Sequence, residues 1–346
     1  GLIEGLADSY DDPYTVFFPP QEAKQFEEQI EGSFGGIGIE MGIRNDLLTV
    51  IAPLKGTPAD KAGLLSGDYI VNVDGASTQS MSTDEAVALI RGEVGTPVVL
   101  TIAREGENEF LEIEIIRGTI EIPTIDAELR DDGVYTIALY NFGATATTEM
   151  RKALREFVTT DSKKLVLDLR GNPGGFLDAA VHVSSWFLPL GKTVVIEDYG
   201  DKKDSFTHRS RGYDVVQEDV EVVVLIDGGS ASASEIVAGA LREHDRATLV
   251  GKNTFGKGSV QELVNVTDDT SIKITVARWL TPNGNSISHV GLAPDLEVDI
   301  TREDIETETD PQLEAAIHYL NTGILENPQQ ETEELLETVE AMDEIE

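Results

Sequence analysis

Three serines, a lysine and a glutamine stand where their types and spacing allow covalent chemistry. The serines lie in Gly229-Ser230-Ala231-Ser232-Ala233-Ser234-Glu235-Ile236, the lysine in Phe255-Gly256-Lys257-Gly258, and Gln261 four positions further on. The apolar run Val222–Ile226 before the serines reads as a buried strand, and the pattern from Ser232 to Arg242 reads as a helix. A strand, a small-residue turn and a helix start suit a nucleophile. The first helical turn offers free N–H groups and positive potential to a developing oxyanion, and the small side chains admit a substrate backbone. Lys257 has a glycine on each side, an odd setting for a lysine that only adds solubility. On an extended strand, Gln261 falls on the same side as Lys257.

A Ser-His-Asp triad fits poorly. None of His182, His208, His244, His289 and His318 sits in a glycine-rich turn at a strand end. A lysine base is the better candidate, provided burial lowers its ammonium pKa by several units from about 10.4. Ser-Lys pairs are an established form of nucleophilic catalysis. The bland alternative is that the serines cap a helix and Gly-Lys-Gly is a loop. On spacing alone that alternative is the stronger, and composition and periodicity do not choose among the three serines. There is no carboxylate-histidine cluster with ligand spacing and no phosphate-cradling glycine loop beside a Lys-Ser/Thr pair, so no metal or organic cofactor is implied.

The 346 residues allow two or three domains, and 40% hydrophobic with 26% charged residues is ordinary for a globular protein. The charge is not ordinary: 64 Asp and Glu against 26 Lys and Arg give a formal net charge of −38. That argues against nucleic acid or an anionic membrane surface as partner and is read as a solvated, self-repelling surface. Cysteine is absent, which removes disulfides, thiolate metal sites and a Cys nucleophile. No apolar run is long enough to span a membrane. The chain opens on Gly1 and enters a helix-like stretch, so it reads as a trimmed piece whose targeting segment, if any, lies upstream.

The elements that must position these residues follow in order. Residues 1–33 read as a helical N-terminal segment, with helices at Leu2–Tyr10 and Pro20–Ile30. Residues 34–117 read as a small β-rich domain, with a strand at Leu47–Pro53 and a helix opened by Ser82-Thr83-Asp84-Glu85. Residues 118–322 alternate strand, turn and helix, the signature of an α/β core with a mostly parallel sheet. Within it Lys202–Arg211 reads as a polar, exposed connection. Residues 323–346 form an acidic tail, expected to be a solvated helix or disordered.

Together these segments resemble the C-terminal processing (tail-specific) serine peptidase family, which carries an embedded PDZ domain. The resemblance runs from about Leu2 to Asn321. It rests on Asp11-Asp12-Pro13-Tyr14-Thr15, Gly35-Gly36-Ile37-Gly38-Ile39, Leu167-Asp168-Leu169-Arg170-Gly171-Asn172-Pro173-Gly174-Gly175, the serine run, Phe255-Gly256-Lys257-Gly258, and Leu280-Thr281-Pro282-Asn283-Gly284. It implies a crotonase-like peptidase core in which Ser232 is the nucleophile, Lys257 the general base and Gln261 the residue that orients Lys257. Ser230 and Ser234 then become structural. The oxyanion hole would come from the Ala233 N–H and one from Gly174 or Gly175. The family also implies a bacterial, extracytoplasmic location and often a homodimer, although this chain lacks most of the usual N-terminal part.

In the small domain, successive N–H groups of Gly36, Ile37, Gly38 and Ile39 suit a substrate's terminal carboxylate. A peptide strand would lie along the helix Asp84–Ile90, with Ile39 and Leu89 lining a pocket for an apolar last residue. The alternative is that these residues only build a barrel core. Arg91 reads as a surface charge, with a latch between PDZ domain and peptidase as the second reading. The expected activity is therefore endoproteolysis of partly unfolded proteins recognised by apolar C-termini, through a Ser232 acyl-enzyme. A PDZ scaffold on an inactive core and a coenzyme A-using crotonase-type enzyme are the rivals.

Overall fold

The computed structural model describes residues 2–327 apart from 10, 11, 13, 21, 25, 27–31, 45, 46, 105, 108 and 122. The acidic tail beyond 327 and most of the helix expected at Pro20–Ile30 therefore lie outside the described residues. Two compact units emerge, Gly32–Ile122 and a larger one made of Gly1–Glu31 with Pro123–Glu346. The N-terminal segment does not stand alone as a domain. After helix α1 (Leu2–Asp8), strand β1 (Val16–Phe18) joins a sheet of the larger unit, with Val16 opposite Lys273 and Phe18 opposite Ser271.

The smaller unit opens with β2 (Ser33–Gly36), which pairs antiparallel with its last strand, β9 (Gly118–Glu121). Between them lie β3 (Ile39–Arg44), β4 (Leu47–Pro53), helix α2 (Pro58–Lys61), β5 (Tyr69–Val73), β6 (Ala76–Ser77), helix α3 (Thr83–Ile90), β7 (Pro97–Ala103) and β8 (Leu111–Ile116). The antiparallel order is β3-β4-β5-β7-β8, with β6 on β5, so among the described residues β3 pairs with β4 alone and its outer edge is open. The α3 start follows the sequence: Ser82 and Glu85 form a reciprocal capping box. Alternate residues of β7 (Val98, Leu100, Ile102) fill the core with Val50, Ile70 and Ile115. Asp68, buried in this unit, is held by Arg104 through two 2.8 Å bonds.

The larger unit contains β10 (Ile125–Leu129), β11 (Tyr135–Leu139), α4 (Ala146–Thr159), β12 (Lys164–Asp168), α5 (Leu177–Ser185), β13 (Thr193–Asp198), β14 (Phe206–Arg209), β15 (Glu221–Ile226), α6 (Ala233–Glu243), β16 (Thr248–Gly251), β17 (Ser259–Asn265), β18 (Ser271–Leu280), β19 (Leu296–Glu297), α7 (Arg302–Glu306) and α8 (Pro311–Thr322). One sheet runs β10-β11-β12-β15-β16-β19; only its β10–β11 pairing is antiparallel. Residues of β12 and β15 sort by parity. Leu165, Leu167, Val222 and Val224 pack with residues of α4, α5 and α6, whereas Val166, Val223 and Leu225 pack with Ala315, Ala316 and Leu320 of α8. Both faces of the sheet are thereby covered, which is why these strands read as continuous apolar runs. A second sheet, β1-β18-β13-β14 with β17 on β18, is antiparallel throughout, so the unit is mixed α/β.

Lys202–Arg211 is not a plain connection. Phe206–Arg209 forms the edge strand β14 on β13, and His208 Nε2 lies 2.9 Å from Glu197 Oε2. An edge strand with one ladder tolerates the polar residues that concealed it.

The β12 end is tied to α8 by one guanidinium. Arg170 bonds Asp168 and places Nη1 and Nη2 2.8 and 2.7 Å from the two carboxylate oxygens of Asp310, the α8 N-cap. Breaking such a largely buried network strands two carboxylates. Arg170→Met is expected to lower stability by about 2–3 kcal/mol, discounted for the partial exposure of Asp310. Urea unfolding checks this, and an unchanged midpoint would refute it.

Candidate active site

The serine run forms the turn between β15 and α6, where each hydroxyl meets a different fate. Ser230 and Ser234 are fully buried; their hydroxyls donate to Leu169 O (2.8 Å) and Asn172 O (2.9 Å). Ser232, half-buried at the α6 N-cap, has φ 55° and ψ −111°, a left-handed conformation disfavoured for a side chain with Cβ. Among the described residues its hydroxyl donates to no core carbonyl, and it faces a cleft.

The glycine turn after β12 packs against Ser232. A Cβ added at Gly174 would lie 2.8 Å from the Ser232 Cβ and 2.9 Å from Ala233 N, so only glycine allows this approach. The Gly174 N–H donates to Asn172 Oδ1 (2.9 Å), and its carbonyl accepts from Phe142 N. Among the described residues no acceptor takes the Gly175 N–H or the Ala233 N–H.

Lys257 lies in the segment between β16 and β17. Its flanking glycines pass tightly against residues 288–291. A Cβ on Gly256 would meet Gly291 N at 3.0 Å, and one on Gly258 would collide with Ser288. The lysine is half-buried, with Nζ 5.7 Å from the Tyr14 ring centroid. Burial pulls its ammonium below the ordinary lysine value, and the negative charge of Glu235 pushes part of the way back. Gln261 lines the same cleft, but its Nε2 donates to Tyr14 O at 2.5 Å; no hydrogen bond joins it to Lys257 among the described residues.

Glu235, fully buried in the first turn of α6, is the site residue that sequence reasoning missed. Its Oε1 accepts from Thr254 Oγ1 (2.6 Å) and Gly256 N (2.7 Å), and its Oε2 from Ser232 N and Lys257 N, both 2.9 Å. One carboxylate thus ties the Ser232 backbone to the Lys257 backbone. The only trace in sequence is an acid three residues after an N-cap serine, which reads equally well as a capping box.

The cleft holds about 900 Å³. One wall comes from the loop around Phe142 and the turn Pro173–Gly175 with the start of α5. The other comes from Lys257, Ser259, Gln261, Leu263 and Lys273 on β17, β18 and the segment before them, with Trp279. In a two-stranded ladder, Gln261 stands opposite Thr275 and Leu263 opposite Lys273, so these side chains share one face. Lys273 was absent from the sequence-based candidates.

In the smaller unit, Ile37 is buried and Gly38 has φ 75°; among the described residues no acceptor takes either N–H. Gly36 ends β2, Ile39 opens β3, and Leu89 on α3 is 39% exposed. Arg91 is not at an exposed end: half-buried at the α3 C-cap, it lays its guanidinium 3.9 Å over the Phe34 ring.

The model of peptidase family S41 matches residues 133–298, and that of the PDZ domain residues 49–104. A carboxy-terminal processing protease CtpA of Bacillus subtilis is 36% identical over 87% of this chain and 64% of its own length. A carboxy-terminal-processing protease of Bartonella bacilliformis is 38% identical over 83% of this chain and 67% of its own. The chain thus spans about two thirds of the length of these relatives. Among solved structures, a photosystem II D1 C-terminal processing protease superposes with a TM-score of 0.56 at 27% identity, covering 94% of this chain and 86% of that one.

Proposed function

The chain belongs to peptidase family S41 and carries a PDZ domain, and from that premise we propose that it is a serine endopeptidase acting through Ser232 and Lys257 on proteins captured by their C-termini. One observation carries the reading: of three serines at alternate positions, two spend their hydroxyls on core carbonyls, while Ser232 faces the same cleft as a lysine whose charge burial disfavours.

In this reading neutral Lys257 accepts the Ser232 proton as Oγ attacks the scissile carbonyl. The Gly175 and Ala233 N–H groups hold the oxyanion, since Gly174 spends its own N–H inside the turn. The lysine ammonium then protonates the leaving amine, giving an acyl-enzyme. Lys257 next takes a proton from the water that releases the new carboxyl terminus. Gln261 would orient Lys257 only once its Oε1 comes within reach of the lysine, its Nε2 being held by Tyr14 O. The parallel sheet with its strand-turn-helix crossovers serves as a crotonase-like core.

The PDZ domain supplies the address. Its unpaired Ile37 and Gly38 N–H groups support carboxylate binding, and the open β3 edge beside α3 supports an added peptide strand, with Ile39 and Leu89 against an apolar last residue. The bacterial CtpA relatives make an extracytoplasmic location the natural reading; among the described residues no helix is long and apolar enough to cross a membrane.

The pH dependence tests the base. Only neutral Lys257 accepts a proton, and its folded-state pKa lies below the ordinary lysine value. Then kcat/KM on an unfolded protein with an apolar C-terminus rises with pH and levels off before the ordinary lysine value of about 10.4. A profile that is flat, or still rising beyond that value, would count against a buried lysine base. Amidating the substrate's C-terminus tests the address and should raise KM.

A further inference from the structure

The cleft contains a second lysine that the mechanism does not use. Lys273 lies on the same ladder face as Gln261, one same-face step further along, about 7 Å. Its ammonium sits 5.3 Å from the Phe18 ring centroid and 5.3 Å from that of Phe26, two rings stacked 4.8 Å apart. Aromatic faces stabilise a cation without neutralising it.

In a chain with 64 acidic and 26 basic residues, a cleft lysine would be expected to find a carboxylate. Among the described residues none forms an ion pair with Lys273. Burial and the like charge of Lys257 both push its ammonium below the ordinary lysine value. Asp178, the acid lining this cleft, is already engaged by Arg211 Nη2 (2.7 Å) and approached by His182 Nε2 (3.3 Å). A half-buried, uncompensated cation is unfavourable until an anion arrives, and an anion there forms charge-assisted hydrogen bonds in a partly desolvated place.

We propose that Lys273, backed by Phe18 and Phe26, is a specificity subsite for a carboxylate of the bound peptide. That carboxylate is either a Glu or Asp side chain or the peptide's own C-terminus. The net charge of −38 opposes the approach of an acidic peptide, so a carboxylate preference in the cleft would have to come from this local cation. The inference rests on reading the cleft as a peptide-binding site.

The test uses the full chain and unfolded peptides that differ only in one glutamate, moved position by position, against the glutamine counterpart, each with a free and an amidated C-terminus. For one placement the Glu peptide, or the free-terminus peptide if that is the source, should exceed its neutral partner about tenfold in kcat/KM. This ratio should fall to about one in Lys273→Met and survive in Lys273→Arg; being internal to each variant, it is insensitive to any loss of folded protein. The same ratio is read as peptide affinity in Ser232→Ala, with and without Lys273→Met. Cleavage without any carboxylate preference, or a preference that survives Lys273→Met, overturns the subsite and leaves the peptidase standing. A Lys273-dependent preference in binding, without cleavage by the parent, upholds the subsite and overturns the peptidase.

Discussion

Ser232→Ala and Lys257→Met are each expected to lower kcat/KM on an unfolded protein substrate at least about 10⁴-fold, with the double variant little worse than either alone. Such non-additivity is expected where nucleophile and base act as a unit, because either loss removes the same step. The two variants should part company in stability. Lys257 is a lysine whose folded pKa is depressed by burial, so the unfolded chain binds more protons between the folded and unfolded values. Its penalty is therefore fully present below the folded pKa and is relieved as pH rises toward the unfolded one. Lys257→Met should be more stable than the parent at and below neutral pH, and the difference should shrink as pH rises through that window. Thermal midpoints across pH, beside turnover, check both statements. A Lys257→Met chain that still cleaves would remove lysine from the mechanism.

Glu235→Gln is the second change with a large expected effect. The carboxylate accepts four hydrogen bonds, two at each oxygen. Replacing one oxygen by NH₂ sets donor against donor at two of them in a fully buried place. A loss of about 2–4 kcal/mol in stability is expected, and about 10²-fold in kcat/KM from small displacement of Ser232 or Lys257. A structural defect alone would stop there. Glu235 also raises the Lys257 pKa, so removing its charge should move the rising limb of the pH–rate profile to lower pH. An unshifted limb at reduced activity would mean that Glu235 only braces the fold.

What was legible in the sequence was mainly local. The strand Leu47–Pro53 and the capping box that opens α3 appear where residue pattern put them, because each is decided by neighbours in the chain. Near the site, the glycines around Lys257 were visible as an anomaly, but their reason, the close pass against residues 288–291, belongs to tertiary structure. The three serines could not be told apart by periodicity. Ser230 and Ser234 are set apart from Ser232 by reaching Leu169 O and Asn172 O, carbonyls about sixty residues earlier. In sequence Glu235 is only an acid three residues after a serine, and Lys273 only a polar residue in an apolar run. Both acquire meaning only from segments distant in sequence, as does β14, whose polar composition hides its pairing with β13.

The left-handed turn at Ser232 has a consequence for when the chain becomes dangerous to its neighbours. No isolated strand-helix fragment would hold a serine at φ 55°. Here the turn is fixed by Asn172 O, which accepts from Ala231 N and Ser234 Oγ, and by the Glu235 carboxylate, which takes one bond from Ser232 N and its other three from residues 254–257. During synthesis Ser232, the proposed nucleophile, therefore emerges before the segment that completes its surroundings. A nascent or half-unfolded chain carries the serine without a formed site, so the proteolytic capacity proposed for it would switch on as a late event of folding rather than as a property of the motif.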